Sequence, residues 1–328
     1  MMAARGAAHA RPRDAYRDVP ILARPTWNHE IAAYFFFGGV SAGATLLGAL
    51  AELVGGARLR GLSRAAYLAG FAALMPCPPL LIDDLGRPER FHHMLRVFKP
   101  LSPMNLGSWT LTIHGLVAGV ANLHAVGTLD RAPAWLAALT RLLPPRLLAL
   151  LGVPPALALA GYTGVLLGTS SVPVWAESRL LGGLFTASAI GTGTAATSLA
   201  GTLSGQLDEP AEEALSTIEI CTGLVELGLT AGYVATAGRA ARPLLEGEGL
   251  LLTMLGVALN AATVVLSAAS SRAGGARHTL SALASAASLA AGASLRWGVV
   301  RAGHVSANDR ETLLQLQDRR SQASGWHG

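Results

Sequence analysis

Apolar runs of about twenty residues, set apart by short polar segments, recur eight times along the chain. They are Ile31–Val54, Ala65–Ile82, Gly107–Gly127, Leu147–Gly168, Leu180–Leu203, Thr217–Ala237, Gly249–Ala269 and Leu280–Val300. A helix needs roughly 20 apolar residues to cross about 30 Å of hydrocarbon. The pattern therefore predicts an all-α, polytopic membrane protein with eight transmembrane helices. Four runs precede residue 170 and four follow it, which suggests two four-helix bundles, 27–170 and 171–300. Polar tails, 1–26 and 301–328, flank them. The first 26 residues carry no apolar stretch of the signal-peptide kind, so span one is expected to stay in the mature chain. Several runs are rich in small residues: span one carries GGVSAGATLLGA and span five reads TASAIGTGTAATSLAGTLSG. Within lipid, helices associate by close packing, and Gly, Ala, Ser and Thr permit it.

Composition sharpens the picture. Of 328 residues 51% are hydrophobic and only 14% charged, with a mean hydropathy of +0.43. Soluble domains carry about 25% charged residues, so a soluble enzyme of this length is excluded, as is disorder. The two cysteines, Cys77 and Cys221, cannot make a disulfide scaffold, a zinc ribbon or a cysteine-ligated cluster, so no metal site is expected. Eight spans put both termini on one face, here face P. That face collects 17 of the 25 Lys and Arg residues, Arg296 counted among them. The positive-inside rule places face P in the cytoplasm, by a majority that shrinks when the 83–103 loop is left out.

Three segments carry further information. The loop after span two runs DDLGRPERFHHMLRVFKPLSPMNLGSW from Asp83 to Trp109. Span one opens WNHEIAAYFFFGGVSAGA, and span four ends AGYTGVLLGTSSVPVW. In order and spacing they resemble the NrfD family, which includes the membrane subunit of polysulfide reductase, and the resemblance covers essentially the whole chain. It implies an integral subunit of a respiratory oxidoreductase in the inner membrane of a prokaryote. Its substrate would be menaquinone or ubiquinone, with no haem or iron–sulfur cluster in this chain. Electrons would pass to or from a four-cluster ferredoxin-type iron–sulfur subunit, itself joined to a catalytic redox subunit. The resemblance also implies quinone contacts at Tyr162 and at the start of span one, where Asn28, His29 and Glu30 are the candidates. It implies no partner of the nucleic-acid class; the surroundings are the lipid bilayer.

The residues support such chemistry on their own terms. The start of span one, the end of span two, the start of span three and the end of span four all lie at face P. His29, Glu30, Asp83, Asp84, Arg87, Asn105 and Tyr162 can thus meet at one depth. Quinol oxidation releases two protons and two electrons; it needs hydrogen-bond partners for both ring oxygens, a base and an apolar slot. A bland alternative stands beside each assignment. Tyr162 also suits an interfacial belt, with Thr163 and Gly164 giving it room for a ligand on the functional reading. His29 and Glu30 also suit a solvated helix end. Asp84 and Arg87, three apart, also suit a structural ion pair on one turn. Arg90, His92, His93 and Arg96 form a basic loop that suits either docking of the iron–sulfur subunit or lipid headgroups.

Carboxylates within the spans add a second signal. Glu219 and Glu226 are seven apart, hence on one face of span six. An acidic side chain near mid-membrane costs about 2.5–3.5 kcal/mol and normally faces the bundle interior. They suggest a proton path from the opposite face, face N, with hydroxyl partners on span five such as Thr186, Ser188 and Thr192; a protonated helix–helix contact is the alternative. Glu52, near the face-N end of span one, can snorkel. Only His114 lies well inside a span, so a bis-histidine haem is not expected. A secondary transporter using the Glu stripe, and a passive anchor for a soluble enzyme, are the competing readings. The transporter reading lacks the matched helix breaks such folds show.

Overall fold

The computed structural model describes residues 22, 25–127, 143–309 and 312–314. Most of both polar tails and the 128–142 connection lie outside them. Among the described residues the chain is helical, with no strand. We label the principal helices α1 (His29–Val54), α2 (Arg60–Leu74), α3 (Cys77–Asp83), α4 (Pro103–Val126), α5 (Pro145–Gly168), α6 (Leu181–Ser204), α7 (Glu209–Ala237), α8 (Gly247–Ser270) and α9 (Arg277–Asn308). Six helical segments are long and apolar enough to cross a membrane: α1, the α2–α3 unit, α5, α7, α8 and α9. Helices α4 and α6, of 24 residues each, match them in length but are less apolar. At 1.5 Å per residue each reaches about 36 Å.

The second predicted span is continuous in the sequence pattern but broken in the structure. Pro76, Pro78 and Pro79 fall where α2 would continue. Each lacks an N–H and crowds the preceding turn, so α2 stops at Leu74 and α3 restarts at Cys77. The break swings the α3 end toward α1. Two spans are longer than their apolar cores suggest. Helix α7 starts at Glu209, where Asp208 caps it by accepting from the Ala211 N–H at 3.1 Å. Helix α9 runs on to Asn308. That extension moves Arg296 inward. It is 1% exposed, so it is not one of the face-P surface cations with which the sequence pattern grouped it.

Helix α1 is central, packing on α2, α5 and α6, while α8 packs on α9 and α7 at the periphery. The α1–α6 contact is between backbones. A Cβ added at Gly43 would overlap the Ala189 carbonyl, and one added at Gly193 would overlap the backbone of Gly43 and Ala44. Glycine is required there because any side chain would separate the two helices. The segment between α5 and α6 tucks Trp175 into the interior. Its Nε1 donates to the Val299 carbonyl at 2.8 Å, and its ring stacks on Trp27 at 5.5 Å. The start of α1 is thereby tied to α9, reinforced by His304 Nε2 donating to the Trp27 carbonyl at 2.6 Å.

Candidate functional site

At face P, the end of the fold where α1 begins, the helices leave a cavity of about 310 Å³. Trp27, just before α1, and Ile31, Tyr34 and Phe35 of its first turns line it, together with Leu81 of α3 and Asp84, the residue that follows α3. Helix α4 contributes Asn105 and Gly107, and α5 contributes Tyr162. The lining is apolar apart from a few convergent polar groups, the usual make-up of an organic-ligand pocket, and its volume sits at the low end of the roughly 300–1,000 Å³ such pockets span.

Tyr162 projects from the last turns of α5 onto the α4 backbone. A Cβ at Gly107 would overlap its hydroxyl and lie 2.5 Å from Cε1. The GSW glycine therefore sets where that hydroxyl can stand. The neighbouring Gly164 does not open space for a ligand, as the sequence suggested. It faces α6, where a Cβ would come 2.5 Å from the Leu181 carbonyl oxygen. Thr163 is buried as well. The two residues after Tyr162 serve helix packing, and the room beside Tyr162 comes from α4.

Asp84 is half-buried at the cavity wall. Burial, with the charges of Glu30 and Asp83 beside it, pushes its carboxyl above the ordinary value. Glu30 thus lies close enough to act on Asp84 without lining the cavity. The Asp84–Arg87 ion pair that stood as the structural alternative is absent. Helix α3 ends at Asp83, so the i,i+3 geometry of a continuing helix does not exist there, and Arg87 is exposed beyond the turn. His29 also points elsewhere: its Nδ1 accepts from Trp297 Nε1 at 3.0 Å. Asn105 lines the cavity with its polar atoms already used. Its Oδ1 accepts from the Lys99 N–H at 2.6 Å, and its Nδ2 donates to the Met94 and Val97 carbonyls at 2.9 and 3.0 Å. It holds the 94–99 loop over the cavity. Arg90, His92, His93 and Arg96 lie on or next to the 3-10 segment Pro88–Leu95, all exposed, with the two imidazoles 4.4 Å apart. Exposed Phe91, Val97 and Phe98 add an apolar component to this surface.

Both span-six carboxylates are buried, Glu219 to 2% and Glu226 to 8% exposure. Glu219 accepts from Ser267 at 2.6 Å and from Ser285 at 2.9 Å, joining α7 to α8 and α9. Glu226 interacts with Ser188 on α6 and with Arg296 on α9. Arg296 donates to the Ser188 hydroxyl and, at 3.3 Å each, to the Gly292 and Phe185 carbonyls. Its guanidinium lies 5.0 Å from the centre of the Phe185 ring, and Phe185 meets the cavity-lining Phe35 edge-on at 6.3 Å. Sequence reasoning missed Arg296 and Tyr34. The signal for Arg296 was a lone arginine inside LAAGASLRWGVV. Tyr34 was hidden in the apolar run AAYFFF.

At the opposite end of α1, Glu52, Arg60, Ser63, Arg64, Tyr67 and His124 line another cavity of about 310 Å³. Among the described residues no group of three His, Cys, Asp or Glu side chains could hold a metal ion. The family model for polysulphide reductase, NrfD, matches residues 22–308. No curated protein matches the chain.

Proposed function

The chain belongs to the NrfD family, whose members are membrane subunits of quinone-reactive oxidoreductase complexes, and on that premise we propose that the face-P cavity is its quinone site. One observation carries the reading. The cavity is lined almost wholly by the three stretches on which the resemblance rests, with the Tyr162 hydroxyl and the Asp84 carboxyl at the wall of an apolar slot. The Tyr162 hydroxyl donates a hydrogen bond to one ring oxygen. Asp84, when ionised, accepts a proton released as quinol becomes quinone. Trp27, Ile31 and Phe35 enclose the ring. The two electrons leave to, or arrive from, an iron–sulfur partner seated on the Arg90–Arg96 surface beside the cavity mouth, and that partner connects to a catalytic redox subunit.

On this reading all eight long helical units, α4 and α6 included, span the membrane of a prokaryotic cell in two groups of four, with face P cytoplasmic. The buried Glu219 and Glu226 hold protons in the second group. Arg296 and the Phe185–Phe35 contact stand between Glu226 and the quinone slot.

Photolabelling with an azidoquinone tests the site. Labelled peptides should map to the start of α1 and to the Tyr162 region. Gly107→Ala should cut labelling at least tenfold by displacing the Tyr162 hydroxyl. Labelling confined to α7 and α8 would place the quinone elsewhere. Asp84 gives a separate check with a definite sign. Because its folded-state value is raised, its ionisation costs stability at pH above that value, and the cost disappears as pH falls through it. Asp84→Asn is therefore expected to raise the melting temperature at neutral pH while lowering quinol turnover. Scanning calorimetry and a turnover assay on the same preparation read the two effects.

A further inference from the structure

At face N the first helix group ends in arginines that the protein leaves without carboxylate partners. Helix α1 turns into α2 through Gly56, whose φ of +49° favours glycine. Arg58 lies in this turn, Arg60 opens α2 and Arg64 follows one turn on. Arg146, in the first turn of α5, reaches across to them: its Nη2 would stand 3.5 Å from a Cβ on Gly56. Among the described residues no carboxylate lies within ion-pair distance of these four guanidinium groups.

The second helix group disposes of its arginines at the same face differently. Arg277 pairs with Glu212 at 3.4 Å, and Arg272 folds back on the Ala268 carbonyl at 3.0 Å. Helix α7 opens there with Glu209 and Glu212 in its first turn, which suits the positive end of a helix dipole. Helices α2 and α5 instead open with arginine and no acid in the first turn. Arg60 and Arg64, four apart on one helix, also repel each other. Two helix N-termini and four cations thus converge on one sign of charge, which an anion would offset.

A place for that anion exists. Arg60 and Arg64 line the 310 Å³ cavity at this face, together with Tyr67, His124, Ser63 and Glu52. Tyr67 is 6% exposed, and its hydroxyl has no hydrogen-bond partner among the described residues. A buried hydroxyl left unpaired is costly, so an acceptor oxygen beside it is favoured. Glu52 is the one carboxylate among the described lining residues, and it lies toward the Ser63 hydroxyl at 3.5 Å.

We propose that this cavity binds a phosphate group, carried by an anionic phospholipid headgroup or by the free ion. The guanidinium forks of Arg60 and Arg64 match phosphate oxygens two at a time. The Tyr67 hydroxyl donates to a further oxygen. Arg58 and Arg146 at the rim raise the local potential and draw the anion in. Exposed Leu50 and Val54 on α1, and Leu147, Leu150 and Leu151 on α5, stand at the same end of the fold, where acyl chains of a bound lipid would lie. The site is at the far end of α1 from the face-P cavity and is independent of what binds there.

The test uses the full chain, purified in detergent and stripped of bound lipid. Its melting temperature is followed as sodium phosphate, or dioctanoyl phosphatidylglycerol, is added at an ionic strength held constant with sodium chloride. One of the two should raise it by several degrees, because a ligand bound only to the folded state stabilises that state. Arg60→Gln combined with Arg64→Gln should raise the half-saturating concentration by about tenfold or more. Tyr67→Phe, which keeps the ring, should raise it several-fold. Arg242→Gln combined with Arg301→Gln, at arginines ion-paired to Glu246 and Glu248, should leave it unchanged. A response to sodium phosphate assigns the site to the free ion, and a response to the lipid alone assigns it to the headgroup. No response to either, or one of equal strength in wild type and the Arg60, Arg64 double variant, overturns the proposal.

Discussion

Gly43→Ala leaves almost no folded protein in the membrane. The added methyl would overlap the Ala189 carbonyl oxygen and lie 2.6 Å from its carbon and 3.1 Å from the Ile190 Cα. These are backbone atoms of α6, so no rotamer change relieves the overlap; the helices must part. Overpacking a tight interior typically costs about 1–3 kcal/mol even where side chains can adjust, and here the contact joins α1 to α6 at the centre of the fold. A loss above about 3 kcal/mol is expected, a large share of the 5–15 kcal/mol that stabilises a typical fold. Gly183→Ala is the matched control, since its Cβ meets nothing within 4 Å. Detergent extracts resolved by size-exclusion chromatography give the comparison. A Gly43→Ala peak equal to that of Gly183→Ala would mean that α1 and α6 do not touch in this way.

Glu226→Leu should lower the melting temperature, because a buried arginine needs a compensating negative charge and Glu226 is the buried carboxylate whose charge acts on Arg296. The change removes the carboxylate and leaves the Arg296 guanidinium, 1% exposed, with only Ser188 and two carbonyls around it. Adding Arg296→Met to the same chain should restore most of the loss, because the pair then leaves no orphaned charge. Thermal melts of wild type, both single variants and the double variant form the cycle. Additive losses would show that the two side chains do not depend on one another. Quinol turnover of the double variant then separates stability from proton handling, since a stable but slow protein assigns Glu226 a functional role.

The gross plan was legible because lipid imposes a simple rule: helices must be long and apolar. The face-P convergence was legible as well, because alternating helix direction brings the ends of every second connection together. What escaped was decided by packing between distant segments. Gly164 sits beside Tyr162 in sequence, yet its open face meets α6, and nothing local says so. Asp84 and Arg87 read as a helical pair only if α3 continues, and it stops at Asp83. His29 left the site for Trp297, a partner 268 residues away. Arg296 looked like a terminal cation because the apolar core of its helix ends at Val300, whereas the helix itself persists to Asn308. Glu219 and Glu226 were recognisable, since a buried carboxylate pair at helical spacing stands out in so apolar a chain. Ser188 was among the span-five hydroxyls expected beside them; Ser267, Ser285 and Arg296 were not foreseen, because each lies on another helix.

The tie between Trp27 and the last helix bears on how the molecule is made. Trp27 lines the face-P cavity, yet its carbonyl is held by His304, 277 residues later, and its ring rests on Trp175. A ribosome delivers α1, α3, α4 and α5, which supply the other walls of that cavity, long before it delivers His304. A nascent chain therefore inserts most of the cavity wall early and leaves it unlatched until synthesis is nearly over, so truncated products emerge without a finished cavity.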